Sequence, residues 1–145
     1  MEELAMFILG LGVILLLIAV VLLIIYVLAY WMIFKKAGEA GWKALIPIYS
    51  TYTEYKLFWS VKMFILFMIF AVLTAILEKV GGIGNTLLIA TTLGSTVLNI
   101  IMCVKLALSF GHGAGFAVGL VFLNPIFLLI LAFDSSRYIG PGGKC

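Results

Sequence analysis

The sequence predicts an all-α integral membrane protein with four transmembrane helices and an interfacial or re-entrant aromatic segment between helices one and two. Composition is the first reason. Of 145 residues, 66% are hydrophobic and 10% charged, where a soluble domain carries about 25% charged residues. A chain this short and apolar cannot cover itself with polar surface, so lipid is its solvent. The second reason is a series of long apolar runs separated by Gly-rich breaks. The third is the block Trp31–Trp59, which holds all three tryptophans, three of the six tyrosines and four of the nine basic residues. Aromatic belts and Lys/Arg clusters mark a membrane–water boundary, with the basic side cytoplasmic.

Span one runs over about 4–34. At 1.5 Å per residue it reaches roughly 46 Å against a hydrocarbon core of about 30 Å, so it tilts or projects. Tyr26, Tyr30 and Trp31 mark the end of the hydrocarbon. The start is not expected to be a cleavable signal, because Glu2 and Glu3 are acidic and the apolar run is too long. Gly38 and Gly41 break the helix. The element over about 41–56 is apolar at first, too short to span, and interrupted by Pro47. Tyr49, Tyr52 and Tyr55 follow at steps of three, on one side of a helix or turn. With Trp31, Trp42 and Trp59 they form an interfacial anchor or a docking surface.

Span two covers about 57–77, with Lys62 able to snorkel toward the headgroups. Gly81 to Asn85 reads as a tight turn, making spans two and three antiparallel neighbours. Span three covers about 86–110 and carries one polar stripe: Thr92, Ser95, Thr96, Asn99 and Cys103, at spacings of three and four. Span four covers about 116–133, with Asn124-Pro125 at its middle. Pro125 removes a backbone donor and frees the carbonyl of Val121, so a kink is expected. Residues 134–145 form a polar Gly/Pro-rich tail. No repeat is visible, and 1–145 reads as one membrane domain.

Charge placement orients this arrangement. Lys35, Lys36, Lys43, Lys56 and Lys62 fall within 28 residues and suit anionic lipid headgroups. With four spans, that side also holds Lys105, while Lys79, Arg137 and Lys144 lie opposite. The count favours a multi-pass protein of the cell membrane with both termini outside and the 35–62 loop cytoplasmic. Nucleic acid is a poor partner for a block so rich in interface aromatics.

Candidate chemistry is sparse. The stripe Thr92, Ser95, Thr96 and Asn99, with Asn124 facing it from span four, serves either helix association or a wet path. Gly115 and Gly119 make a short small-residue face, and the glycines do not match a dinucleotide pattern. His112 is the only histidine and, with Cys103 and Cys145 far apart, cannot complete a zinc site. It reads as an interfacial turn residue or a pH sensor. Cys103 and Cys145 are not expected to pair, and no prenylation box follows Cys145. Glu78 and Asp134 lie at span ends, and no carboxylate is expected at membrane depth, which argues against a proton-coupled carrier. Asp134 and Arg137 are spaced to pair at the surface. Ser95 with His112, or a Ser with Lys105, would be needed for nucleophilic catalysis, and spacing alone brings neither pair together.

Three motifs carry a family resemblance. They are Phe34-Lys35-Lys36-Ala37-Gly38-Glu39 with Gly41-Trp42 and Ala44-Leu45-Ile46-Pro47-Ile48-Tyr49; Leu106-Ala107 with Ser109-Phe110-Gly111; and Arg137-Tyr138-Ile139-Gly140-Pro141. Over about 31–141 the chain resembles an uncharacterised domain family of small prokaryotic polytopic membrane proteins. Ser50 stands where the family pattern has Asn, and His112 where it has Lys. Some members are labelled signal peptidase I. Such an enzyme needs a soluble β-rich catalytic domain, and nothing here reads as strands. The resemblance implies that Trp42–Tyr49 and Tyr138–Pro141 belong to one fold, and it implies no activity or cofactor.

The functional expectation is a non-enzymatic, self-associating or scaffolding membrane subunit with no cofactor, partnered by lipid, by copies of itself or by another membrane protein. The alternative is an oligomeric channel or small-solute carrier with a polar path along helix three.

Overall fold

The computed structural model describes residues 1–80 and 84–143. Three of its helices are long and apolar enough to cross a membrane. The first, α1, is Glu2–Lys36. Up to Ile24 every side chain is exposed, and packing begins only in the last turns, where Ala29, Tyr30, Ile33 and Phe34 are buried. An apolar helix exposed for so much of its length is stable where lipid replaces protein as its neighbour.

Gly38, at φ +82°, turns the chain in a conformation that L side chains rarely adopt. A 3-10 turn, Gly41–Leu45, then tucks beneath α1. Gly41 fits there because a Cβ would stand 2.5 Å from the Trp31 ring. Helix α2, Pro47–Phe58, starts on proline, whose missing N–H costs nothing in a first turn. It runs past the expected end at Lys56 because Leu57 and Phe58 are buried in the core, and it stops at Trp59.

Helix α3, Val61–Val80, and helix α4, Gly84–Ser109, form the hairpin that the sequence predicts. The expected turn at Gly81–Asn85 lies partly outside the described residues. Phe70 packs on Gly94, and the Thr74 and Thr91 hydroxyls join the helices at 3.0 Å.

Residues 116–133, expected as one kinked span, are part of two short helices, α5 (Ala114–Phe122) and α6 (Asn124–Phe133). The break falls at Leu123, two residues before Pro125. It is a reversal and not a kink. The Phe116 and Phe127 ring centroids lie 5.1 Å apart, whereas residues eleven apart on a straight helix are separated by about 16 Å. His112 before α5 also reaches Asp134 after α6. Nine and ten residues span about 15 Å each, half a hydrocarbon core. The pair is a helical hairpin whose arms are each too short to cross a membrane.

The hairpin moves the tail. Ile139 N–H donates to the Ser109 carbonyl at 2.7 Å, and the Tyr138 hydroxyl donates to the Leu57 carbonyl. Tyr138 also packs edge-on against Phe58 and Phe110. The tail therefore docks at the end of the bundle that carries Lys36 and α2. Four crossings would put it at the opposite end, and the reversal between α5 and α6 brings it here instead. The buried core sits at this same end: Ile33 and Phe34 of α1, Phe58 of α2, Leu106 and Ala107 of α4, Leu120 of α5, Leu128 and Leu131 of α6.

Candidate functional site

Above that core, between α1, α4 and the tip of the α5–α6 hairpin, lies a groove of about 500 Å³ lined by Tyr26, Ser95, Thr96, Asn99, Cys103 and Asn124, among others. A second lobe of about 170 Å³ continues inward past Tyr26, Asn99, Cys103 and Asn124 to Tyr30, Thr51, Glu54, Tyr55 and Phe67. The structure thus brings together four of the five stripe residues. Thr92 is exposed outside both lobes, with its hydroxyl bonded to the Leu88 carbonyl at 2.7 Å.

The stripe hydroxyls are satisfied by their own helix. Ser95 donates to the Thr91 carbonyl at 3.0 Å and Thr96 to the Thr92 carbonyl at 2.8 Å, so what they present to the groove is acceptor oxygen. The Asn124 amide donates to the Leu120 carbonyl at 3.1 Å and touches Cys103 Sγ at 4.0 Å. Asn99 and Asn124 line the same cavity without a hydrogen bond between them. A hydroxyl pair that joins two long helices, Thr74–Thr91, sits one residue round the helix from the expected stripe.

Glu54 is the residue that the sequence analysis missed. It expected no carboxylate at membrane depth, because α2 read as surface. Thr51, Glu54, Tyr55 and Phe58 follow the i, i+3, i+4, i+7 spacing of one helix face. Tyr55 and Phe58 on that face are buried, and this spacing is the signal that could have found Glu54. The Tyr30 hydroxyl donates to Glu54 Oε1 at 2.8 Å. Tyr30 is six residues from Lys36, about 9 Å along the helix, so the carboxyl group lies inside the end of the bundle. Burial pushes its pKa up to about 7, against the opposing pull of the Tyr30 hydrogen bond. No Lys, Arg or His lines either lobe.

The other charges do structural work at the bundle end. Lys36 Nζ donates to the carbonyls of Leu131 at 2.6 Å and Asp134 at 2.7 Å, and to Asp134 Oδ1 at 3.0 Å. It thereby caps the C-terminus of α6. His112 Nε2 lies 2.9 Å from Asp134 Oδ2, so Asp134 takes these two partners in place of the expected Arg137. Burial would raise the Asp134 pKa, but Ser136 and Lys36 hold it down at about 2. Lys43 and Lys56 both pair with Glu39, and its carboxyl pKa is lowered as a result. Of the five lysines expected at headgroups, Lys35, Lys56 and Lys62 are exposed, Lys56 while paired with Glu39 and Lys35 with its Nζ 5.7 Å from the Trp31 ring.

The aromatic set divides too. Trp42 and Tyr49 are exposed and stacked at 5.8 Å, with Tyr52 next to them. Trp31 seats on Gly41, and Tyr55 is buried against Trp59, Phe64 and Phe67. Those three pack the fold. Ser95 and His112 lie apart, one in the groove and one at the bundle end. Lys105 borders the docked tail at Gly142.

Long apolar helices with an aromatic and basic end make this chain a helical membrane protein. It belongs to a family of unknown function, DUF5684, whose model matches residues 42–141. That stretch holds α2 to α6 and the docked tail, which supply every cavity residue except those of α1. The family gives no support to a peptidase label, and the described residues contain no strand. No curated protein and no solved structure matches the chain.

Proposed function

We propose that this protein binds a small polar solute in the cavity between α1, α4 and the re-entrant hairpin, as a carrier or channel subunit. The observation that carries this reading is the lining itself. Ser95, Thr96, Asn99 and Asn124 converge at bilayer depth on a space that the chain does not fill. Amide groups facing hydrocarbon without a partner cost several kcal/mol each, on the order of 2–7. Water or a solute in the groove removes that cost. A helix broken at the cavity suits the reading, because non-helical backbone at membrane depth is tolerated where it is covered by protein or lines a wet space. The reading is non-enzymatic: the Ser95 hydroxyl is tied to its own helix and has no base beside it.

Single cysteines at Ser95, Thr96 and Asn99, in a background free of native cysteine, test this reading. A water-soluble thiol reagent should label them in lipid, and added solute should slow the labelling. Protection at all three positions would remove the proposal.

A self-associating or scaffolding subunit is the second reading. It is favoured by α1, whose residues up to Ile24 are all exposed. Crosslinking in nanodiscs through residues 4–24 would support it, and a strict monomer would not.

The orientation follows the positive-inside rule. Lys35, Lys36, Lys43, Lys56, Lys62, Lys105 and Arg137 share the bundle end that carries α2, and Lys79 lies at the other. We place the α2 end and the tail in the cytoplasm, and the N-terminus outside the cell membrane.

A further inference from the structure

We propose that Glu54 makes the inner lobe of the cavity a binding site for a small ammonium-bearing cation, which displaces a proton from the carboxyl group as it enters. The proposal rests on the solute-binding reading and names the class of solute.

The inner lobe, about 170 Å³, has room for a small molecule only. Among the described residues, its one charged group is the Glu54 carboxyl, whose sole hydrogen-bond donor is the Tyr30 hydroxyl. Nearby basic groups are committed elsewhere: Lys56 and Lys43 to Glu39, Lys36 to Asp134. A carboxylate in such surroundings needs either a proton or a cation from outside the chain. The remaining walls select the cation. Tyr26, Tyr30, Tyr55 and Phe67 line the lobe, and aromatic rings suit weakly hydrated organic cations. A divalent metal would need about six or more oxygen ligands, and one carboxyl group with two amides does not supply them.

The groups that face Glu54 are few. Helix α1 brings Tyr26 and Tyr30, α2 brings Tyr55, and α4 brings Cys103 as titratable neighbours. Helices α3 and α6 bring Phe67 and Asn124, which do not titrate. The exchange is balanced in charge. A protonated Glu54 and an alkylammonium ion become a carboxylate–ammonium pair and one proton released to water. The pKa of about 7 leaves the empty site about half protonated at neutral pH and largely protonated below it, so the cation competes with a proton in the physiological range.

The test uses the full chain in lipid nanodiscs with ethylammonium as probe, read by calorimetry and by a pH indicator for proton release. With a group titrating near 7, the apparent Kd should weaken about ten-fold between pH about 8 and about 6. Proton release should accompany binding at the lower pH. Ethanol, the neutral analogue, should not compete. Glu54→Gln should abolish binding and release, while Glu54→Asp should keep the pH dependence. Tyr30→Phe leaves the carboxyl group in place but removes its donor, and should move the pH midpoint of binding upward. Binding that ignores pH, survives Glu54→Gln, or is absent in the wild-type protein would overturn the proposal. If the cysteine at Asn99 is still labelled in that case, solute binding stands and only the cation assignment falls.

Discussion

At the scale of single residues, Glu54 and Asp134, two of the three carboxyl groups with displaced pKa values, work in opposite directions. Glu54 binds its proton more tightly in the folded protein, with a pKa near 7 against 4.5 for an ordinary glutamate. Its contribution to stability is fully present below about 4.5 and is lost as pH rises through 7. The wild-type protein in detergent should therefore unfold at a lower temperature at pH about 8 than at pH about 5, and Glu54→Gln should flatten that slope. Asp134 is lowered from 3.8 to about 2. Its contribution is present above 3.8 and is lost as pH falls through 2. Asp134→Asn should cost about 1–3 kcal/mol in chemical unfolding and remove the acid limb, because Lys36 and His112 lose their anion. Asp134 was legible as a polar residue at a span end. Its partners were not, since Lys36 lies 98 residues away.

At the scale of elements, the α5–α6 reversal depends on one close approach. A Cβ on Gly119 would stand 2.2 Å from the Phe127 ring, whereas Gly115 has open space. Gly119→Ala should destabilise the protein by about 1–3 kcal/mol in thermal or chemical unfolding, through overpacking. Phe127→Leu should recover part of that loss, and Gly115→Ala should be close to neutral. The sequence analysis treated these two glycines as one packing face, and the structure gives them different neighbours. Asn124-Pro125 was readable as a break because proline acts locally. The direction taken after it was not, since the Lys36 and His112 contacts with Asp134 set it. The α3–α4 hairpin was readable because its Gly-rich turn and two apolar runs are local features. Its joining pair, Thr74–Thr91, needed the helix rotation, which span three's regular spacing of polar residues left open.

At the scale of the whole molecule, the proposed topology, with three long helices crossing and the α5–α6 pair turning back, puts residues 1 and 143 on opposite faces of the membrane. An impermeant maleimide on intact cells should label Glu3→Cys and spare Ser135→Cys, each in a background free of native cysteine. Inside-out vesicles should reverse the pattern. Equal labelling of both sites from outside would restore an even number of crossings. The same geometry gathers α2, the hairpin base and the tail into one packed end, and leaves residues 2–24 of α1 to lipid or a partner.

Composition and apolar run length pointed by themselves to lipid as the solvent and to long apolar helices, which the sequence counted as four and of which the structure has three long enough to cross a membrane. These are local quantities, set residue by residue along the chain. The tertiary structure alone decided that residues 114–133 fold back, that the tail docks beside Ser109, and that Glu54 faces a cavity beneath Tyr30, 24 residues away in sequence. The reason lies in the solvent. Lipid tails are as apolar as a leucine side chain, so hydrophobicity no longer separates a buried face from an exposed one. What pairs with what is then settled by packing and by a few polar contacts between distant residues.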